Sequence, residues 1–253
     1  MLPKHKARTG LESGLGKEHA EAVEKLMQDN ADKEVKAMWN KYGDDIKVGD
    51  AKHQKVSFHR EGSIYVDVEK DSAGYKTSTG VMAKSPYQVT VHESGHAIDH
   101  AVSAKVGYNF SAEHNGGRFE KLLIQETNAY MKSFQKGLNE KHGRKFNIEE
   151  TRKELSKSLF AENDWLSTGM MSDIMGGATK GKFNGTSGHA KSYWTGWKDY
   201  WGKTHDAHSV ASEAFAHFTS IATNSRSAAR LKSVFPESYK EYLSMCQFAA
   251  TLE

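Results

Sequence analysis

The sequence predicts an α+β domain, mainly helical, with a small β-sheet and one helix that carries a metal-binding His-Glu-x-x-His motif. Three observations predict it. Apolar residues recur at helical spacing along most of the 253 residues. Short alternating runs of strand type lie between residues 55 and 68. The motif itself falls on a segment that opens with helix-start signals.

The elements follow in order. Residues 1–16 are basic and contain glycine, and are expected to form a flexible lead-in; residues 17–253 are expected to form a single domain. A chain of 28.2 kDa buries about three quarters of its unfolded surface, so a core needs no staples. Lys17 to Tyr42 reads as one amphipathic helix, with Val23, Met27, Ala31, Val35 and Trp39 on one face and Gly43 at its end. Lys55–Arg60 and Ser63–Val68 read as strands joined by a Glu61-Gly62 hairpin turn. Ser85-Pro86 opens the next helix, with Gln88 at capping-box spacing, and it runs to about Val106, before Gly107. Further helices are expected at about Ser111–His142, with Phe119, Leu122, Leu123, Tyr130 and Phe134 inward, then at 148–163, Ser209–Thr223 and Pro236–Ala250. Ser167 to Gly202 holds eight of the 22 glycines and reads as a structured, loop-rich segment.

Composition excludes several classes. Cys246 is the only cysteine, which excludes a disulfide framework and a Cys-rich zinc site; it is expected to be buried in the last helix. A net charge of +3 is too mild to indicate nucleic acid. No apolar run approaches the roughly 18 residues of a membrane helix, so no membrane partner is expected. Met1–Lys6 is basic without an apolar stretch after it, so no ordinary secretory signal is expected. Thirteen histidines direct attention to metals and proton transfer.

The decisive segment is His92-Glu93-Ser94-Gly95-His96. Helix positions i and i+4 lie about 40° apart, so both imidazoles point at one spot, where each can give a nitrogen to Zn²⁺. Glu93 lies about 100° round the helix, where its carboxylate reaches a zinc-bound water and can take its proton. Gly95 costs about 1 kcal/mol inside a helix and suggests close packing or ligand approach. The position of a third His six residues on is Val102, so a third ligand must come from elsewhere. Two carboxylates compete: Glu126, on an otherwise apolar face between Leu122 and Tyr130, and Glu213, in the apolar run Ser212 to Phe218. Asp99, two turns after His92, can accept the outer N–H of a ligand His; His100 reads as structural.

His92-Glu93-x-Gly95-His96-Ala97-x-Asp99, followed far downstream by Glu213-x-Phe215-Ala216, resembles the gluzincin pattern of the anthrax lethal factor catalytic domain. The chain is more similar still to the zincin-like domain of minor capsid (head morphogenesis) proteins of phages of Gram-positive bacteria. That resemblance covers about residues 55–250 and rests on three blocks: the motif helix, Ser172-Asp173-Ile174 through Gly188-His189 to Tyr193-Trp194, and Glu213 to Ala216. It implies a zincin-like fold, zinc held by His92, His96 and Glu213, and Glu93 as general base of peptide hydrolysis. It also implies phage head proteins as partners, a polypeptide substrate, and a place in the virion or the bacterial host cytoplasm. Position 217 is His where the lethal factor pattern has an acid. A phage-head component with a structural zinc site, and a toxin protease, are the other readings; the intact Glu93 favours hydrolysis, because a structural site needs no base and is usually closed by a fourth protein ligand.

The Gly- and Trp-rich segment has two readings. Trp194, Trp197 and Trp201 with Lys191 and Lys198 can stack on and neutralise single-stranded nucleic acid, or pack the segment onto the body; packing is the expectation. His189 and Tyr193, four residues apart, are expected to present a hydrogen-bond donor to a developing oxyanion.

Overall fold

In the computed structural model the described residues are 9–50, 57–77, 80, 82–161, 165–183, 188–198 and 202–253. Among the described residues helices dominate, with three small sheets, as an α+β reading requires. The described residues open with helix α1 (Thr9–Leu15), within the stretch expected as a lead-in; residues 1–8 of that stretch lie outside the described residues. Its Leu11 and Leu15 are buried, each worth roughly 2 kcal/mol. Gly10 and Gly14, one turn apart, let α1 lie directly on the backbone and side chains of Ile46 and Val48: a Cβ at either would stand 2.1–2.2 Å from an atom there.

The expected helix over 17–42 is two, α2 (Lys17–Asn30) and α3 (Lys33–Tyr42). Ala31 and Asp32 between them are extended. The apolar face nevertheless continues across the break, and Val23, Met27, Val35 and Trp39 are all buried. Strands β1 (Lys47–Val48), β2 (Phe58–Arg60) and β3 (Ser63–Tyr65) form a sheet in the order β1-β3-β2, with β1 parallel and β2 antiparallel to β3. Arg60 pairs with Ser63 across Glu61 and Gly62, which have φ of 51° and 78° as a tight hairpin turn demands. Residues 55–56 of the expected strand lie outside the described residues, and Val68 starts a helix, α4 (Val68–Ala73). A second hairpin joins β4 (Tyr75–Lys76) and β5 (Met82–Lys84).

Helix α5 (Gln88–Val106) carries the metal motif. It starts two residues later than Ser85-Pro86 suggests, after a left-handed Tyr87. Half of the capping box forms: Gln88 Oε1 accepts from Ser85 N at 2.8 Å. The cap of the helix itself comes from α4. Asp71, fully buried, accepts from Val89 N at 3.0 Å, Thr90 N at 3.1 Å and Thr90 Oγ1 at 2.6 Å, and its charge suits a helix N-terminus. Gly107 closes α5 with φ 78°.

Helix α6 (Phe110–His142) is interrupted at His114–Gly117, where Asn115, Gly116 and Gly117 are left-handed. Helices α7 (Ile148–Ala161) and α8 (Trp165–Ala178) follow. The segment read as loop-rich therefore opens with a helix, in which Met170, Met171, Ile174 and Met175 are buried. Then come α9 (Lys191–Thr195), the hairpin of β6 (Trp197–Lys198) with β7 (Thr204–His205), and α10 (Val210–Ser220), capped by Ser209 Oγ on Ala211 N at 3.1 Å. Helices α11 (Ser225–Val234) and α12 (Pro236–Thr251) complete the chain. One hydrophobic cluster runs from Leu11 to Ala249 and includes Cys246, which is fully buried as expected. Among the described residues no helix is long and apolar enough to cross a membrane.

Candidate metal centre

The site forms where α5 crosses α10. Gly95 makes that crossing close: a Cβ there would stand 2.8 Å from the Ala216 Cα, so a side chain would push the helices apart. Beside the crossing, the two helices present polar residues to each other. His92 Nε2 lies 3.6 Å from Glu213 Oε2, and His96 Nε2 lies 3.6 Å from Glu213 Oε1. These spans are long for hydrogen bonds. They are near the roughly 3.4 Å that separates ligands around a tetrahedral zinc. One donor atom from each of the three residues lies within 4.8 Å of the others. Glu213 Oε2 is buried with no hydrogen-bond partner, a costly arrangement that a cation would relieve. The donor set, two imidazoles and a carboxylate, is that of an open zinc site. The residues present therefore fit a divalent metal ion.

Glu126, the competing carboxylate, is elsewhere and has other work. It accepts from Glu237 N at 2.8 Å and Ser238 N at 3.0 Å, and so caps α12.

The electrostatics follow from burial and crowding. Burial pushes the Glu213 carboxyl up, but His96, His189 and His92 around it outweigh that and hold it well below the usual range. Burial lowers His96, and Glu213 overrides it, bringing His96 up to about 9. Burial, then His217 and His96, hold His92 well below its ordinary value. Burial raises Glu93 to about 7, and neighbouring His96 only partly offsets it. A carboxyl near 7 can both take and return a proton at neutral pH.

His189 and Tyr193 both reach Glu213, though not from one helical face, since His189 precedes α9. His189 Nε2 is 3.6 Å from Glu213 Oε1, and the Tyr193 hydroxyl donates to the same oxygen. Tyr193 is held between two rings, His189 at 3.7 Å and His208 at 3.8 Å, both nearly parallel to it. Burial and then Glu213 push the Tyr193 phenol far up, so it keeps its proton. The His189 side chain is 40% exposed against 17% and 13% for His92 and His96, so the site opens to solvent on the His189 side.

Asp99 does not accept directly from a ligand His. It is buried and accepts from Ser111 N at 2.9 Å and Ser111 Oγ at 2.7 Å, at the start of α6. Ser212 stands between: its Oγ is 3.4 Å from His96 Nδ1 and 3.3 Å from Asp99 Oδ2, so the hydroxyl accepts from one and donates to the other. Ser212 escaped the sequence reading, although it adjoins Glu213. His217 also went unassigned. It lies one turn after Glu213, and its ring packs 4.5 Å from that of His92. His100 is exposed, and its ring lies 5.7 Å from that of His59. Trp194 is buried and packs on α8, while Trp197 stacks on His205 at 4.2 Å; Trp201 lies outside the described residues.

Comparison with protein-family models, curated proteins and solved structures returns no match.

Proposed function

We propose that this protein is a zinc metallopeptidase of zincin type, with His92, His96 and Glu213 as the metal ligands. The observation that carries the reading is the buried, unpartnered Glu213 Oε2 facing two imidazoles, with Glu93 on the same helix as those imidazoles. A zinc ion held by these residues would supply a Lewis acid and would make an attacking water more acidic. Glu93 takes the proton from the attacking water and delivers it to the leaving amine; its raised pKa suits both steps. Tyr193, which keeps its proton, and His189 beside it donate hydrogen bonds to the carbonyl oxygen as negative charge builds on it. The solvent-facing side at His189 is where a polypeptide enters.

The phage-head setting is supported by the resemblance of the three blocks, of which the middle one, Ser172 to Trp194, contributes His189 and Tyr193 to the site. There the substrate would be a head protein, and the place the virion or host cytoplasm.

The test is metal analysis joined to proteolysis of dye-labelled, denatured casein. Wild-type protein is expected to hold a single zinc and to cleave. Glu93→Gln, similar in size but unable to take the proton, is expected to keep zinc and lose at least about a hundredfold in rate. Protein that binds no zinc, even when zinc is added back, overturns the reading.

A further inference from the structure

A second carboxylate stands behind the site and touches both of its halves. Asp173, on α8, is buried. Its Oδ1 accepts the main-chain N–H of His189 at 2.7 Å. Its Oδ2 lies 3.2 Å from His217 Nε2. A carboxylate only accepts, so Nε2 of His217 carries the hydrogen of that bond. The other ring nitrogen, Nδ1, is buried with no partner; a bare acceptor there is less costly than an orphaned N–H. Asp173 thus fixes both the tautomer and the orientation of the His217 ring. That ring packs against His92 at 4.5 Å, tilted by 46°.

The other contact is just as constrained. Gly188 has φ of 101°, a conformation that favours glycine, and a Cβ on it would stand 2.5 Å from Asp173 Oδ1. The chain can therefore bring the His189 N–H onto the carboxylate only because residue 188 has no side chain. His189 is then held where its ring reaches Glu213.

We propose that Asp173 is a positioning residue that sets the two halves of the site in register: through His217 it orients the metal-ligand helix at His92, and through the His189 main chain it orients the donor loop. The role rests on the metal reading of His92 and Glu213, but part of its test does not.

The first arm uses metal-free protein. Nitrogen-15 spectra of His217 under mildly alkaline conditions are expected to show hydrogen on Nε2 in the wild type. In Asp173→Asn that preference is lost, and the His189 amide exchanges faster. An unchanged His217 tautomer and unchanged His189 exchange in the variant overturn the proposal, whether or not the protein binds zinc.

The second arm titrates Zn²⁺ against a chromophoric chelator. Removal of an outer-shell partner is expected to weaken zinc affinity by about 10- to 100-fold. Asp173→Asn and His217→Gln are each expected to do so, and the double variant no more than either alone, because one acts through the other. Additive losses overturn the coupling, as does wild-type affinity in a folded Asp173→Asn protein. Should Asp173→Asn fail to fold, His217→Gln alone still decides. Wild-type zinc affinity in that variant would exclude an orienting role for the His217 ring.

Discussion

At the scale of residues, four acids do four different things, and their partners decide which. Glu213 faces imidazoles, Glu93 is raised by burial that His96 only partly offsets, Asp99 ties α6 to Ser212, and Glu126 caps α12. Substitution should therefore separate them. Glu213→Ala is expected to lose zinc affinity with modest change in folding. Glu126→Ala is expected to keep zinc and cost roughly 1–2 kcal/mol of stability, the usual worth of a cap. Zinc titration and thermal melts on both variants check this; loss of zinc from the Glu126 variant alone would reverse the ligand assignment. The donors form a second contrast. Tyr193→Phe, or His189→Ala, is expected to lower turnover by about a hundredfold, near 3 kcal/mol, while a single zinc remains bound. If turnover of the folded fraction is unchanged and only the melting temperature falls, the stacked rings His189, Tyr193 and His208 serve structure alone.

At the scale of elements, the α5–α10 crossing sets the ligand spacing, and Gly95 sets the crossing. Gly95→Ala gains about 1 kcal/mol of helix propensity, but the new Cβ meets the Ala216 backbone, and overpacking of that kind costs about 1–3 kcal/mol. The net expectation is lower stability and weaker zinc binding together, since His92 and His96 move away from Glu213; a variant that melts higher with unchanged zinc affinity would contradict it. The break between α2 and α3 offers a test by pH. Asp32 there is raised by burial, but hydrogen bonds from Tyr239 and Lys232 outweigh this and hold it below its ordinary value. Its contribution to stability is thus present above the unfolded pKa and lost as pH falls through the folded one. The group is partly exposed, so the effect stays under about 1 kcal/mol. Asp32→Asn is expected to flatten the acid side of a plot of melting temperature against pH, and parallel curves for the two proteins would refute this. These elements also show what sequence could and could not tell. The motif helix, the hairpin at Glu61-Gly62 and the late helices announce themselves through periodicity and local turn chemistry. Helices α1 and α8 do not, because the glycines of the first were read as a flexible lead-in and those of the second as structured loop. Gly10 and Gly14, and likewise Gly176 and Gly177 beneath Trp194, are instead sites of close approach by residues distant in sequence, which no local pattern reveals. The Asp71 cap of α5 is likewise invisible in the helix's own sequence.

At the scale of the whole molecule, the site draws on segments more than a hundred residues apart. His92 and His96 were readable because one helix holds both; Glu213 was favoured over Glu126 by the resemblance, and the packing of α10 onto α5 brings it to the two imidazoles. Asp173, Ser212 and His217 depend on that packing too, so spacing in sequence carried no sign of their roles. This arrangement predicts how the protein responds to loss of metal. The hydrophobic cluster runs from α1 to α12 and is formed by the chain without help from the site. A chelator is therefore expected to leave the helical signal in circular dichroism intact at room temperature, unlike the collapse of a small zinc-dependent domain. On the proposed metal reading zinc binds only the folded chain, where His92, His96 and Glu213 converge, so it would stabilise by mass action. Free zinc at about a thousand times its Kd adds roughly 4 kcal/mol. For 253 residues, at about 2.1 cal/mol/K each, that raises the melting temperature by roughly 8 °C. The increment should grow with the logarithm of zinc concentration and vanish in Glu213→Ala. Unfolding on chelation at room temperature would mean that the metal, and not the core, holds α5 against α10. A melting temperature indifferent to zinc in the wild type would mean that these three side chains do not bind it.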